Sequence, residues 1–130
     1  MKHWFNRRNA MLAAVLFAFA AGLAAQKLVE KPKSVIHVVT VKWKDGTTPA
    51  QIKAAMDGVE KMAAAYPAIK RVWLRSIKVQ SPEVGLSHAF VMEFESEEAL
   101  KKYAGSKAQK EWYEVYLPIR EQSRTHDITN

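Results

Sequence analysis

Two histidines and a tyrosine are the residues of this chain best suited to moving protons. His37 sits inside the β-branched run Val35 to Trp43, and His88 lies at the start of a second such run, Ser87 to Phe94. An imidazole changes charge near neutral pH and serves as a general acid, a general base or a metal ligand. Tyr103 ends the stretch Glu97 to Tyr103, whose helical patterning places its phenol on the apolar side. One reading makes the two histidines the polar floor of a ligand pocket, with Tyr103 reaching down from a helix. The other makes each a half-buried strand residue whose ring nitrogens are satisfied by nearby backbone or hydroxyl groups. A metal would need a third ligand, and His126-Asp127 alone offers one, so neither a metal nor a cofactor is expected. The absence of cysteine excludes disulfides and thiolate chemistry. Glu97 and Glu98 are explained by their place at a helix start rather than as a catalytic pair.

The elements that must hold these groups follow from the pattern of residues. A strand from about Val35 to Trp43 is apolar on both faces at its start and ends at Asp45-Gly46. Thr48-Pro49-Ala50-Gln51 then supplies a capping threonine, a proline at the first helical position and a glutamine three residues after the cap. The helix that follows carries Ile52, Ala55, Met56, Val59, Met62, Ala63 and Tyr66 on one stripe, with methionines as core filling, and stops at Pro67. A second strand is predicted from Ile69 to Gln80, a loop over Ser81 to Gly85, and a third strand from Ser87 to Glu95. Ser96 caps the helix that bears Tyr103. Beyond Gly105, Ala108, Trp112, Val115 and Tyr116 recur at helical spacing up to Pro118, and a last strand falls within Ile119 to Ile128. The order is βαββαβ with a split second helix, an α+β ferredoxin-like unit with a four-stranded antiparallel sheet. In such a unit the first and third strands are antiparallel neighbours, which puts His37 and His88 on one face, within reach of each other.

The amino terminus follows different rules. Lys2, Arg7 and Arg8 precede an apolar run of 16 residues, Ala10 to Ala25, that ends in small residues and contains no acid. This is the pattern of a secretory signal peptide over 1–25, cleaved near Ala24 or Ala25, with a Lys/Pro-rich linker over 26–34 and one domain over 35–130. The run is short for a spanning helix. The expected destination is periplasmic or extracellular, with no membrane association after cleavage. Of the 20 Lys+Arg, the leader removes three, and of the 13 Asp+Glu none, so the mature chain carries +4 rather than +7. Its lysines alternate with glutamates, and no basic run is interleaved with aromatic platforms, which argues against nucleic acid as a partner.

His37, the Trp43-Lys44-Asp45-Gly46 turn, His88 and the Phe94 to Tyr103 block, in that order and spacing, resemble the stress-responsive A/B barrel (Dabb) family from Val35 to Asp127. The resemblance implies a homodimer in which two four-stranded sheets close into an α/β barrel with the helices outside. The family includes plant stress proteins, a plant polyketide cyclase of the olivetolic acid cyclase type, and bacterial members without known activity. Its cyclases use a tyrosine and a histidine six residues later. Tyr103 matches the tyrosine, but Gln109 stands at the histidine's place, and an amide cannot act as a general base. Haem-binding relatives of the superfamily would need an axial histidine on the later helices, and none lies between His88 and His126. The expected function is therefore an exported, non-catalytic or small-ligand-binding homodimer, with its pocket lined by His37, Val59, His88, Tyr103 and Gln109. The alternative is a lyase or isomerase acting on a small apolar or aromatic substrate.

Overall fold

The computed structural model describes residues 29–80 and 82–130. The leader expected over 1–25 and the first part of the linker lie outside them. The folded domain, Pro32–Asn130, is built from β1 (Val35–Trp43), α1 (Pro49–Ala65), β2 (Ile69–Trp73), a single 3-10 turn (Pro82–Val84), β3 (His88–Phe94), α2 (Glu97–Tyr103), α3 (Lys107–Tyr116) and β4 (Arg120–Ile128). This is the predicted order, the split second helix included.

Local chemistry sets the boundaries. Thr48 and Gln51 form a reciprocal capping box at the start of α1, with Thr48 Oγ1 accepting from the Gln51 N–H and Gln51 Oε1 accepting from the Thr48 N–H at 2.9 Å. Ser96 and Ser106 cap α2 and α3 in the same manner. Between those two helices Gly105 adopts φ +78, a conformation that a side chain would strain. The second strand is shorter than expected because it is an edge strand that hands its ladder to a side chain. Past Trp73, Ser76 Oγ accepts from the Ala89 N–H at 3.0 Å and donates to its carbonyl, ending the backbone pairing.

The sheet order is β2-β3-β1-β4, with every pairing antiparallel. The odd positions of β1 and the even positions of β3 face the helices, and there Val35, Val41, Phe90, Met92 and Phe94 are almost fully buried. Each contributes about 1.5–3 kcal/mol by leaving water. Trp112 donates its indole N–H to the Ala55 carbonyl at 2.9 Å, tying α3 to α1. A Cβ on Gly58 would stand 2.7 Å from the Trp112 ring, so a glycine is what permits this close crossing. Among the described residues no helix covers the opposite face. Across it run two rows, Trp73–Val91–Val38–His126 and Arg71–Glu93–Ile36–Ile128, in which Trp73 is 48 % and Ile128 58 % exposed. Glu93 is buried there as a carboxylate, because the Arg71 guanidinium hydrogen-bonds it and holds its pKa below the usual range.

Candidate functional site

A cleft of about 490 Å³ opens between the start of β1, the end of β4 and α2, a volume in the range of small-molecule sites, roughly 300–1,000 Å³. Its walls include His37, Leu100, Tyr103, Gln109, Asp127 and Ile128. A second groove, of about 370 Å³, runs between α1 and α3 past Gly58 and Trp112. Its acids, Asp57 and Glu111, are already paired with Lys53 and Lys107, so the proton-moving groups belong to the first cleft.

Strand register builds the centre of that cleft. The β1–β4 ladder places Asp127 directly across from His37, and His37 Nδ1 donates to Asp127 Oδ1 at 2.6 Å. That bond puts a proton on Nδ1. In the neutral ring Nε2 is then a lone-pair acceptor, and among the described residues nothing hydrogen-bonds it. The imidazole is held edge-on to Phe94 and Tyr103, with ring centroids 5.9 and 6.3 Å away. Its side chain is 15 % exposed and that of Asp127 49 %, so the pair sits at a solvent-accessible mouth rather than in the core.

Tyr103 contributes its ring to the cleft, but not its hydroxyl in the way the sequence suggested. The hydroxyl donates to Met62 Sδ at 3.2 Å beneath α1. Burial pushes its pKa up, with the neighbouring Gln109 amide pulling it down to a lesser degree. A buried phenol with so high a pKa is a hydrogen-bond donor and not a base. Gln109 is fixed by the α2–α3 turn, where its Oε1 accepts from the Gly105 N–H at 2.6 Å, leaving its amide nitrogen as a donor on the Tyr103 side.

Two residues of the expected pocket lie elsewhere. Val59 is fully buried on the core-facing side of α1 and is not among the residues that line the cleft. His88 shares the helix-facing side of the sheet with His37, since Val41, four residues along β1, is its cross-strand partner. Four residues of strand span about 13 Å, however, so the two rings do not meet. His88 Nδ1 instead accepts from Trp43 Nε1 at 2.8 Å and lies 3.0 Å from the Ser87 hydroxyl, and burial holds its pKa low. Its Nδ1 is thus satisfied by neighbouring side chains, in the manner of the second of the two readings for that nitrogen. Asp127 is the cleft residue that the sequence did not pair with His37: it appeared only beside His126 as a candidate metal ligand. His126, on the alternate position of β4, falls on the open face with Val38. Among the described residues no three histidine or acidic side chains converge as a metal site would require.

Comparison with known proteins places this geometry in context. The sequence model of the Stress responsive A/B Barrel Domain matches residues 35–130. The stress-response A/B barrel domain-containing protein HS1 of Arabidopsis thaliana is 27 % identical over 84 residues, 64 % of this chain and 77 % of that protein. Among solved structures, the hydroxynitrile lyase of Passiflora edulis superposes with a TM-score of 0.65 at 19 % identity, covering 75 % of this chain and 93 % of the lyase. A dimeric ferredoxin-like protein of unknown function from Thermobifida fusca gives 0.63 at 16 % identity, covering 80 % and 97 %. At such identities the structural likeness establishes the fold alone.

Proposed function

The chain belongs to the stress-responsive A/B barrel domain family, and on that premise we propose that it is an exported homodimer that binds a small, largely apolar molecule in the His37–Asp127 cleft. The observation that carries this reading is the cleft itself: about 490 Å³ that the chain's own aromatic side chains leave unfilled, walled by Val35, Leu100 and Tyr103, with a few polar groups on one side. A fragment screen by ligand-observed NMR tests it. Neutral aromatic fragments bind the native protein, and His37→Leu weakens them about tenfold while the fold is retained. Fragments that bind both proteins equally place the site elsewhere.

Dimerisation is supported by the uncovered sheet face, where Ile36, Val38, Val91 and Trp73 form an apolar patch, and by the Thermobifida fusca structure, which is described as dimeric. Sedimentation of residues 26–130 gives twice the monomer mass at micromolar concentration. Export rests on the basic start and 16-residue apolar run of the leader. Mature protein from an envelope or extracellular fraction begins at Ala25 or Gln26 by amino-terminal sequencing.

A catalytic reading, of lyase or isomerase type, is favoured by one observation, the 2.6 Å His37–Asp127 bond that leaves Nε2 as an oriented acceptor. In that reading Nε2 takes a proton from a carbon acid seated in the cleft, and Asp127 stabilises the imidazolium that forms. Gln109 takes no part as a base. Deuterium incorporation into a bound carbon acid in heavy water, abolished in His37→Gln, distinguishes an enzyme from a pure binder.

A further inference from the structure

Beneath the cleft lies a smaller cavity of about 140 Å³, between α3 and the sheet, that shares His37, Tyr103 and Gln109 with it. Its floor is unlike the cleft's. Tyr116 is almost fully buried, yet among the described residues its hydroxyl has no hydrogen-bond partner, a rare condition for a buried polar group. Ser123 and Arg120 stand near enough to pull its pKa down against burial, which pushes it up, but neither completes a hydrogen bond to it. Arg120 lies with its guanidinium carbon 5.5 Å from the centroid of the Tyr116 ring and Nη1 3.5 Å from Ser123 Oγ, the outer limit of an interaction. Among the described residues it has no acidic partner: Glu121, the next residue on β4, pairs with Lys42, and Glu111 on α3 pairs with Lys107.

The floor therefore presents a guanidinium fork and two hydroxyls, donors without an anion. Phe90, Met92 and Trp112 wall the space above it, the Trp112 ring stacked on Tyr116 at 4.2 Å. A carboxylate is the complement of that set, since its two oxygens accept from the fork and from both hydroxyls at once. We infer that the ligand of this site is an apolar organic acid whose carboxylate is received by Arg120, Tyr116 and Ser123 while its body extends past Tyr103 to His37. Ser123 and Asp127 share one face of β4 four residues apart, so head group and His37–Asp127 pair are about 13 Å apart at the backbone, a span that side chains and a two-ring acid fill. The inference rests on the small-ligand reading and names the ligand's chemical class.

Titration calorimetry with 2-naphthoate and its neutral counterpart 2-naphthamide tests it on the purified protein. The acid binds at least about tenfold more tightly than the amide, and Arg120→Gln abolishes that preference. Tyr116→Phe keeps the ring and its stacking on Trp112; it weakens the acid about threefold and leaves the unliganded melting temperature equal or higher, because an unpaired hydroxyl is removed. Lys101, a cation on the wall of the cleft rather than of the smaller cavity, is the control. Equal binding of acid and amide, a preference that survives both Arg120→Gln and Tyr116→Phe, or one lost in Lys101→Gln instead overturns the inference. Binding of neither compound overturns it too, while the broader small-ligand reading is judged by the neutral fragments, which do not depend on Arg120.

Discussion

The helix-facing side of the sheet holds a histidine toward each end of β1, His37 on β1 itself and His88 on β3 opposite Val41, and they are put to opposite uses. At one end, His88 is closed in: Trp43 donates its indole N–H to Nδ1, the Ser87 hydroxyl stands beside it, and the Trp43 ring packs edge-on at 5.5 Å. At the other end, His37 is bound to a half-exposed carboxylate and looks onto a cleft. The residue type is the same and so is the face. What separates the two histidines is the partner: an N–H donor takes up the lone pair of His88 Nδ1, whereas a carboxylate takes up the Nδ1 proton of His37 and leaves its Nε2 lone pair available.

The largest effect that would break this contrast is at the closed end. Trp43→Ala should cost about 3–5 kcal/mol in urea unfolding, as large aromatic truncations do, whereas His37→Ala should cost no more than about 1 kcal/mol. Similar losses at both ends would mean that the cleft is as structural as the core.

Asp127→Asn sharpens the comparison from the open side. Because the pair is solvent-accessible, stability should change by no more than about 1 kcal/mol. Affinity for cleft ligands should fall about tenfold, equivalent to about 1.4 kcal/mol, since an amide no longer enforces the Nδ1–H tautomer. Binding and unfolding measured on the same variant separate the two effects.

Acid should act on the closed end. Burial holds the native pKa of His88 below the 6.5 of the free side chain. Below pH 6.5 the unfolded chain binds a proton that native His88 does not, so this contribution is complete above that value and is lost as pH falls toward the native one. Solvent reaches the half-buried ring, which keeps the total below about 1 kcal/mol. His88→Gln should flatten this part of the stability profile between pH 5 and 7, while an unchanged slope would assign it to other groups. The smallest effect expected is that of Tyr103→Phe, within about 0.5 kcal/mol, because the hydroxyl removed donates only to a thioether, a weak acceptor.

Much of the fold was legible without coordinates. Thr48-Pro49-Ala50-Gln51, Ser96 before Glu97-Glu98 and the break at Gly105 are local signals, each satisfying or ending a few backbone groups within four residues, and each marks an observed helix boundary. The strand that ran too long, beyond Trp73, failed where a local signal was overridden: alternation continued to Gln80, but Ser76 replaced the backbone in the ladder with its side chain. The pocket was partly legible, for His37, Tyr103 and Gln109 do share one cleft. Val59 did not join them because an apolar helical stripe says only that a residue faces inward, not which part of the interior it meets.

The sequence by itself determined the elements, their order, their caps and the face on which each strand residue lies, because these depend on periodicities of two and 3.6 residues and on groups adjacent in the chain. Only the tertiary structure decided which groups meet. Asp127 reaches His37 across 90 residues, and Trp43 reaches His88 across 45, through strand registers that no local pattern encodes. A register shifted by one residue would turn Asp127 to the open face and bring His126 inside; the pairing of β1 with β4, held by the packing of the whole sheet against its helices, is what makes one histidine a candidate base and the other a fixture of the core.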